Sequence, residues 1–383
     1  MHRIHKQHVF LTAMMFFVFL GIESPFAQNA WWKAPELKYV EIMADEAHGA
    51  SPHYWTFGGP NLTDSTGDQT YLYTQDSGTN ANFSQYVVAE LRAADNADQV
   101  AHRWATPHIG LPKGCSQFGR RVLVGNGGQK QETQPFFSYP DDYDIGSEYE
   151  AILDADISAD CDPLHFNHDG TLLYTDHYLT DTGSRSSLHR YKVTGPLNKD
   201  GMAFTRDAAW KNNGTFNSSV ARLRNFAIRY IGGKDLIYYG EGATAGVPSP
   251  VYVFDPESGK ETKLVDSVFE IGEVTDSDIV NIKISGVASG SPYLHVMGNI
   301  GGLKIYKLSS DGLKVENNGA PIAVFTTDDL NALGKTEAFS SHCRAYEVTD
   351  DNEYAFLSCH NASNSIFVLR AKPGSSVQEW YKR

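Results

Sequence analysis

An all-β fold made by repeating one unit around a single core is what this sequence predicts, and three observations carry it. Helical periodicity is scarce: only the short stretch TTDDLNALGK around Leu330 spaces its apolar residues as a helix does. Strand signals dominate instead. One unit recurs, in which an apolar strand, a polar loop and a second strand rich in Tyr, Val and Phe end on a Gly, Pro or Asp turn. The first strands of these units begin near Tyr71, Val122, Leu172, Leu236, Tyr293 and Tyr354, a repeat of roughly 50 to 65 residues.

Taken from the N-terminus, Arg3 and Lys6 precede the apolar run VFLTAMMFFVFLGI, and small residues follow up to Ala27. This is the pattern of a secretory signal over residues 1–27. The run is short for a bilayer span, an uncleaved anchor being the alternative. No later segment reads as transmembrane, so a secreted or periplasmic monomer is expected. The 383 residues, 41% hydrophobic, can fill one large core, and no linker or composition shift divides residues 28–383.

The units themselves read LLYTDHYLTDTGSRSSLHRYKVTG, LIYYGEGATAGVPSPVYVFDPESG, YLHVMGNIGGLKIYKLSSDG and YAFLSCHNASNSIFVLRAKPG, with weaker versions from Tyr71 and Val122. Both faces of strands such as LIYY and VYVF are apolar, which suits sheets packed between other sheets. Period and burial together predict a single β-propeller with six four-stranded blades, a seventh being possible between Trp31 and Pro60. A pair of sandwiches is the rival and would need no common period. A ring must also be closed, and LKYVEIMA near the start and VQEWYKR at the end are the candidates.

A formal net charge of -14 without any basic run argues against nucleic acid as a partner. GNGG at Gly125 to Gly128 opens no helix and lacks the Lys-Ser/Thr of a phosphate loop, so no nucleotide cofactor is expected. The acidic stretch DADISADCDP lacks the Gly and terminal Glu of a calcium loop. No Gly-x-Ser-x-Gly elbow occurs. Five sequons, at Asn61, Asn82, Asn213, Asn217 and Asn361, would matter only in a eukaryotic host.

Chemistry is most concentrated in SSHCRAYEVTDDNEYAFLSCHNAS, residues 340–363. If its halves pair around TDDNE, Cys343 faces Cys359, His342 faces His360 and Tyr346 faces Phe356. A disulfide then staples the hairpin, and Cys115 and Cys161 are left to pair with each other. Alternation would put His342, Arg344, Tyr346, Phe356, Ser358 and His360 on one face, with the His pair away from the turn. In a ring that end is the mouth. Other units send His177, Glu241, Arg222, Arg224 and His108 to the same end, and His53, His165 and His168 are further candidates. His102, His189 and His295 sit inside strand-like runs and read as ordinary, satisfied histidines.

Such a funnel would serve three chemistries. His342, His360 and His108 could hold one divalent metal ion. His and Tyr could exchange protons while Arg neutralises a carboxylate, as β-elimination of uronate polymers requires. Binding alone is the third, with aromatic rings stacked on sugar faces. The layout resembles the β-propeller superfamily over nearly the whole mature chain. Exported propellers of this size include ulvan and oligogalacturonate lyases, which use mouth-lining His, Tyr and Arg or a His-bound metal, although no family-specific motif ties this chain to either. Reading the funnel itself as a polysaccharide lyase makes His342, His360, His177, Arg222 and Arg224 the catalytic candidates and His108, Arg344 and Glu241 the residues that hold the carbohydrate. A non-catalytic propeller that docks a glycan, metal or protein is the alternative.

Overall fold

The computed structural model of the chain describes residues 29–42, 55–75, 82–100, 102–107, 112–126, 136–140, 150–152, 163–177, 187–194, 203–221, 223–242, 248–269, 279–298, 302–337, 339, 343–359 and 365–374. The expected signal at 1–27, the acidic loop at 154–162 and the terminal VQEWYKR lie outside these residues.

Among the described residues the strands gather into six sheets, five of four strands and one of five. β1 (Pro35–Ile42) precedes them. β2 (Thr56–Gly58), β3 (Tyr71–Gln75), β4 (Asn82–Val87) and β5 (His102–Pro107) pair antiparallel in chain order. β6 (Pro112–Phe118), β7 (Arg121–Asn126), β8 (Phe136–Pro140) and β9 (Glu150–Ile152) repeat the pattern. So do β10 (Leu164–Phe166), β11 (Leu172–His177), β12 (Ser187–Thr194) and β13 (Ala203–Arg206), with β14 (Thr215–Asn217) added on β12. β15 (Leu223–Ile231), β16 (Lys234–Glu241), β17 (Val251–Asp255) and β18 (Lys260–Val265) make the next sheet, then β19 (Ile279–Ser285), β20 (Tyr293–Gly298), β21 (Leu303–Lys307) and β22 (Ala323–Phe325). In the last, β23 (Ala345–Val348), β24 (Tyr354–Ser358) and β25 (Ser365–Ala371) take β1 as fourth strand, so the candidate near the start closes the ring through its part up to Ile42.

Contacts link β2 to β6, β6 to β10, β10 to β15, β15 to β19, β19 to β23 and β23 back to β2. The first strand of every sheet therefore borders a common axis, and the fold is a single β-propeller. Apolar side chains fill the spaces between sheets: Tyr238, Val253, Ile282 and Val296 pack between two of them, Met297, Ile305, Leu357 and Phe367 between the next two. Each such side chain contributes roughly 1.5 to 3 kcal/mol by leaving water. The positions marked by the sequence repeat are the second strands of their sheets, β3, β7, β11, β16, β20 and β24, not the first.

Among the described residues, two short α-helices accompany the strands. α1 (Val88–Ala93) follows β4 within a run read as strand. α2 (Thr327–Gly334) is the helix expected around Leu330; Thr326 and Asp329 form a reciprocal capping box at its start. Before β1, Trp31 stacks on Phe325 at 5.2 Å and Trp32 meets Tyr293 edge-on at 5.2 Å, anchoring the stretch that leads into β1 against β22 and β20. No helix among the described residues is long and apolar enough to cross a membrane.

Cys343 and Cys359 are bonded, with Cα atoms 4.1 Å apart. The ladder beside them is shifted by one residue from expectation: Tyr346 pairs with Leu357 and Ala345 with Ser358. The bond lies beyond the ladder's end, where the irregular start of β23 absorbs the offset. Tyr346 therefore shares its face with Leu357, and the single face expected to carry Arg344, Tyr346, Phe356 and Ser358 is split in two. Cys115 is not paired with Cys161. It is a free thiol, 1% exposed among Tyr73, Phe83, Val122 and Val124, where an apolar pocket holds it as a small hydrophobe; Cys161 lies outside the described residues.

Candidate functional site

Because every inner strand runs the same way, the ring has two unlike ends. At one, the inner strands end in hairpin turns; at the other, the mouth end, they begin. The turn end is closed by residues 59–70, the connection from β2 to β3. Ser65 N donates to His168 O at 2.8 Å and Ser65 Oγ to Asn167 O at 2.7 Å. Tyr230 N donates to Thr66 Oγ1 at 3.1 Å, Gln69 Nε2 to Val348 O at 3.2 Å, and Asp350 N to Gln69 Oε1 at 2.7 Å. Arg229 reaches the carbonyl of Thr66 with one nitrogen and Asp350 Oδ1 with another at 2.6 Å. One loop thus bonds to segments of three other sheets and spans the axis.

Above it, the axis holds a cavity of about 60 Å³ whose walls come from all six inner strands, among them Thr56, Ser116, His165, Ala227, Lys283 and Glu347. Lys283 and Glu347 form a buried ion pair, and Lys283 Nζ also donates to Trp55 O at 2.8 Å. Burial pushes the Glu347 carboxyl above the ordinary value, against the pull of Lys283. His165 is brought down to about 3, first by burial and then by the Lys283 charge. It is neutral at physiological pH and stands edge-on to Phe226 at 5.0 Å. Ser116 Oγ accepts from Phe166 N at 3.0 Å. A space of this size holds a few water molecules.

The mouth end carries the described part of the predicted site. His177 is the last residue of β11, opposite Ser187. Glu241 ends β16 opposite Leu223; it is 5% exposed, and its Oε2 accepts from Ala221 N at 2.7 Å. Arg224 lies in the irregularity at the start of β15, and Arg344 immediately precedes β23, where its carbonyl accepts from Asn281 Nδ2 at 2.9 Å. These four share one end of the ring. His342, His360, Arg222, His108 and His53 lie outside the described residues. His165 and His168, also expected at the mouth, are not there: His165 lines the axial cavity, and His168 sits at the turn end, 2.8 Å from Asp235 and stacked on Tyr230 at 3.8 Å. The turn after β10 takes His168 away from the mouth.

At the mouth end, Thr175 Oγ1, Asn225 Oδ1, Asn281 Oδ1 and Ser358 Oγ are buried without a hydrogen-bond partner among the described residues. Sequence reading missed the two asparagines, although Asn281 is oriented by donating to Arg344 and Tyr346 carbonyls on the neighbouring inner strand. Their signal was the shared pattern Leu-Arg-Asn-Phe and Ile-Val-Asn-Ile at the starts of β15 and β19. Among the described residues no group of three or more His, Cys, Asp or Glu could hold a metal ion. His295 is a satisfied core histidine as read: Nε2 lies 2.8 Å from Ser285 Oγ and Nδ1 2.8 Å from Tyr346 Oη.

The chain matches no protein-family model, and no curated protein matches it. Solved structures that resemble it include a "putative 6-phosphogluconolactonase" from Bacteroides fragilis NCTC 9343, 13% identical, with a TM-score of 0.49 over 80% of this chain and 76% of that one. Hydrazine synthase of Kuenenia stuttgartiensis is 11% identical, with a TM-score of 0.43 over 79% and 80%. A functionally unknown protein from Desulfotomaculum acetoxidans DSM 771 is 9% identical, with a TM-score of 0.47 over 81% and 80%. The assignment to the propellers rests on the closed ring of inner strands described above.

Proposed function

We propose that the mouth end takes an acidic saccharide and cleaves it by β-elimination. The observation that supports this reading is the inequality of the two ends: residues 59–70 close one, while Arg224, Arg344, Glu241 and His177 stand at the other. Guanidinium groups match a uronate carboxylate in charge and in planar geometry. Arg222 and Arg224 neutralise that carboxylate, which makes the proton on the adjacent ring carbon more acidic. His360 or a mouth tyrosine removes the proton, the electron pair becomes a carbon–carbon double bond, and the glycosidic carbon–oxygen bond breaks. The departing oxygen takes a proton from the acid on the other side, for which His177 is the candidate. His342 partners the base or, with His360 and His108, holds a divalent metal that would stabilise the carboxylate. Arg344, Glu241 and His108 position the chain.

The test is full-length protein incubated with a panel of uronate polysaccharides while the ultraviolet absorbance of unsaturated ends is followed. Absorbance should rise with at least one polymer, and Arg224→Gln should lower kcat/KM by about 100-fold, as loss of one charge-stabilising donor does. No rise with any polymer, with binding retained, would replace the lyase by the non-catalytic glycan-binding propeller.

A further inference from the structure

Between the last two sheets a line of polar atoms runs through an otherwise apolar space. His295 on β20 has Tyr346 Oη, from β23, 2.8 Å from Nδ1 and Ser285 Oγ, from β19, 2.8 Å from Nε2. Ser285 Oγ donates in turn to Asn352 Oδ1. All four side chains are buried. The direction of these bonds follows from counting protons. Ser285 has one hydroxyl proton and gives it to Asn352, so it accepts from His295 Nε2. A neutral imidazole carries one N–H, and with Nε2 protonated the lone pair is on Nδ1, where it accepts from Tyr346 Oη. Burial keeps the ring neutral by bringing it down to about 3. The phenol therefore points its proton at a base. Tyr238 and Tyr73, also buried, give theirs to the Gly312 carbonyl and the Gln117 amide, which take up no proton near neutral pH.

Aromatic rings lead from this pair to the surface. The Trp32 ring meets His295 edge-on at 5.3 Å, and the His295 and Tyr346 rings are 5.8 Å apart. Trp32 also forms one wall of a cavity of about 230 Å³, whose other walls include Pro321, Ile322 and the exposed Val324. Indole and phenol are among the side chains that give up one electron most readily, and rings this close exchange it quickly. The electron cannot leave Tyr346 by itself. Burial, and after it the Glu347 carboxylate, hold the phenol well above the ordinary tyrosine value, so no phenolate is present to be oxidised. A phenol that has lost an electron is a far stronger acid than imidazolium, and a charge left on it would be buried without solvent. Its proton crosses to Nδ1 as the electron departs.

We propose that Tyr346 and His295 form a proton-coupled redox site that diffusible one-electron oxidants reach through Trp32. The oxidant takes one electron from the Trp32 indole, which takes one from Tyr346. The Oη–H bond breaks and its proton moves to His295 Nδ1. A neutral tyrosyl radical and an imidazolium remain until a one-electron reductant such as ascorbate returns the electron, and the proton goes back. No mouth residue takes part, so the site stands apart from saccharide cleavage.

The test uses the full chain and photogenerated ruthenium(III) tris-bipyridine, a cationic oxidant suited to a chain of net charge -14. Freeze-quench electron paramagnetic resonance identifies the radical, and transient absorbance times it. A tyrosyl radical should form, more slowly in deuterium oxide because the proton moves with the electron. Tyr346→Phe should lose most of the signal. His295→Gln, which keeps an acceptor for Oη–H but supplies no base, should slow its formation by about tenfold, the factor that one hydrogen bond's driving force supplies. Trp32→Phe should also slow it, and Tyr238→Phe should leave it unchanged. No tyrosyl radical in the parent, a full signal in Tyr346→Phe, an unchanged rate in His295→Gln or the absence of a solvent isotope effect overturns the proposal. The isotope measurement needs no substitution, so it decides even if Tyr346→Phe does not fold.

Discussion

Lys283 of β19 and Glu347 of β23 meet as a buried ion pair beside the propeller axis, and the same ammonium holds the carbonyl of Trp55 at 2.8 Å. Three neighbouring inner strands are thereby joined at one point, including the two on either side of the ring's closure. Side-chain exposures of 10% and 5% keep water from screening the pair.

Breaking the pair from one side should therefore cost more than removing it whole. Lys283→Met or Glu347→Gln alone should lower unfolding free energy by about 3 to 5 kcal/mol, because each leaves its partner's charge or hydrogen bonds buried and unmatched. The double variant should recover a large part of the loss. Urea titrations of the four proteins measure this, and singles that each cost under about 1 kcal/mol would show that the pair is solvated.

Two histidines set a pH dependence, His295 in the core and His165 half-buried at the axial cavity. Burial lowers His295 to about 3 and, with Lys283, lowers His165 to about 3. The unfolded chain titrates at the free value of about 6.5. Between these values the unfolded state binds protons that the folded state refuses, so stability falls on acidification, by about 1.4 kcal/mol per pH unit for each histidine. The loss begins below about 6.5 and levels off near 3. His295→Gln should reduce the slope of unfolding free energy against pH by roughly half of the histidine part; an unchanged slope would mean that the imidazole is protonated in the fold.

Reduction of Cys343–Cys359 should destabilise the last sheet. The bond spans a sequence separation of 16, and a loop of that size is worth about 3 kcal/mol in the chain-entropy account. The melting temperature of the Cys343→Ala, Cys359→Ala double variant, set against parent protein with and without reductant, reads the effect. Equal midpoints for all three would show that the hairpin holds without its staple.

The closure of the turn end depends on Arg229, which is 7% exposed and ties residues 59–70 to Asp350. Arg229→Met should raise amide exchange in residues 59–70 and in the turn at Asp350 while β20 and β21 keep their protection. Uniform deprotection would mean that the arginine supports the whole ring rather than its floor.

Sequence reading found the second strand of every sheet but, outside β23 in the cysteine hairpin and β2 in the strand-like stretch before Pro60, passed over the first. The reason is visible in the inner strands themselves. Second strands such as LIYY are buried on both faces between sheets and are apolar throughout. Inner strands border the axis and carry Ser116, His165, Lys283 and Glu347, which break the alternation by which strands are recognised. The most polar part of the core was thus read as loop. α1 was hidden for a different reason: VVAEL is β-branched at its start, and the helix is only six residues long.

The candidate site was legible as residue types and not as positions. His177, Glu241, Arg224 and Arg344 reach the expected end because alternating strand directions fix which end each terminus meets. His165 and His168 went elsewhere, since three residues decide whether a histidine precedes or follows a hairpin turn. The hairpin's disulfide was found while its register was missed. Two cysteines can bond across an irregular strand end, whereas Tyr346 must reach His295, and that contact fixes which residues lie opposite.

The seal between β1 and β25 gives the molecule a direction of mechanical weakness. Pro35 and Ala371 sit side by side at one end of that antiparallel ladder, so tension applied through the two chain ends separates the pairs one after another, as a zip opens. A tether at these ends would part the ring at low force. The same load applied between opposite sheets would have to shear many pairs at once.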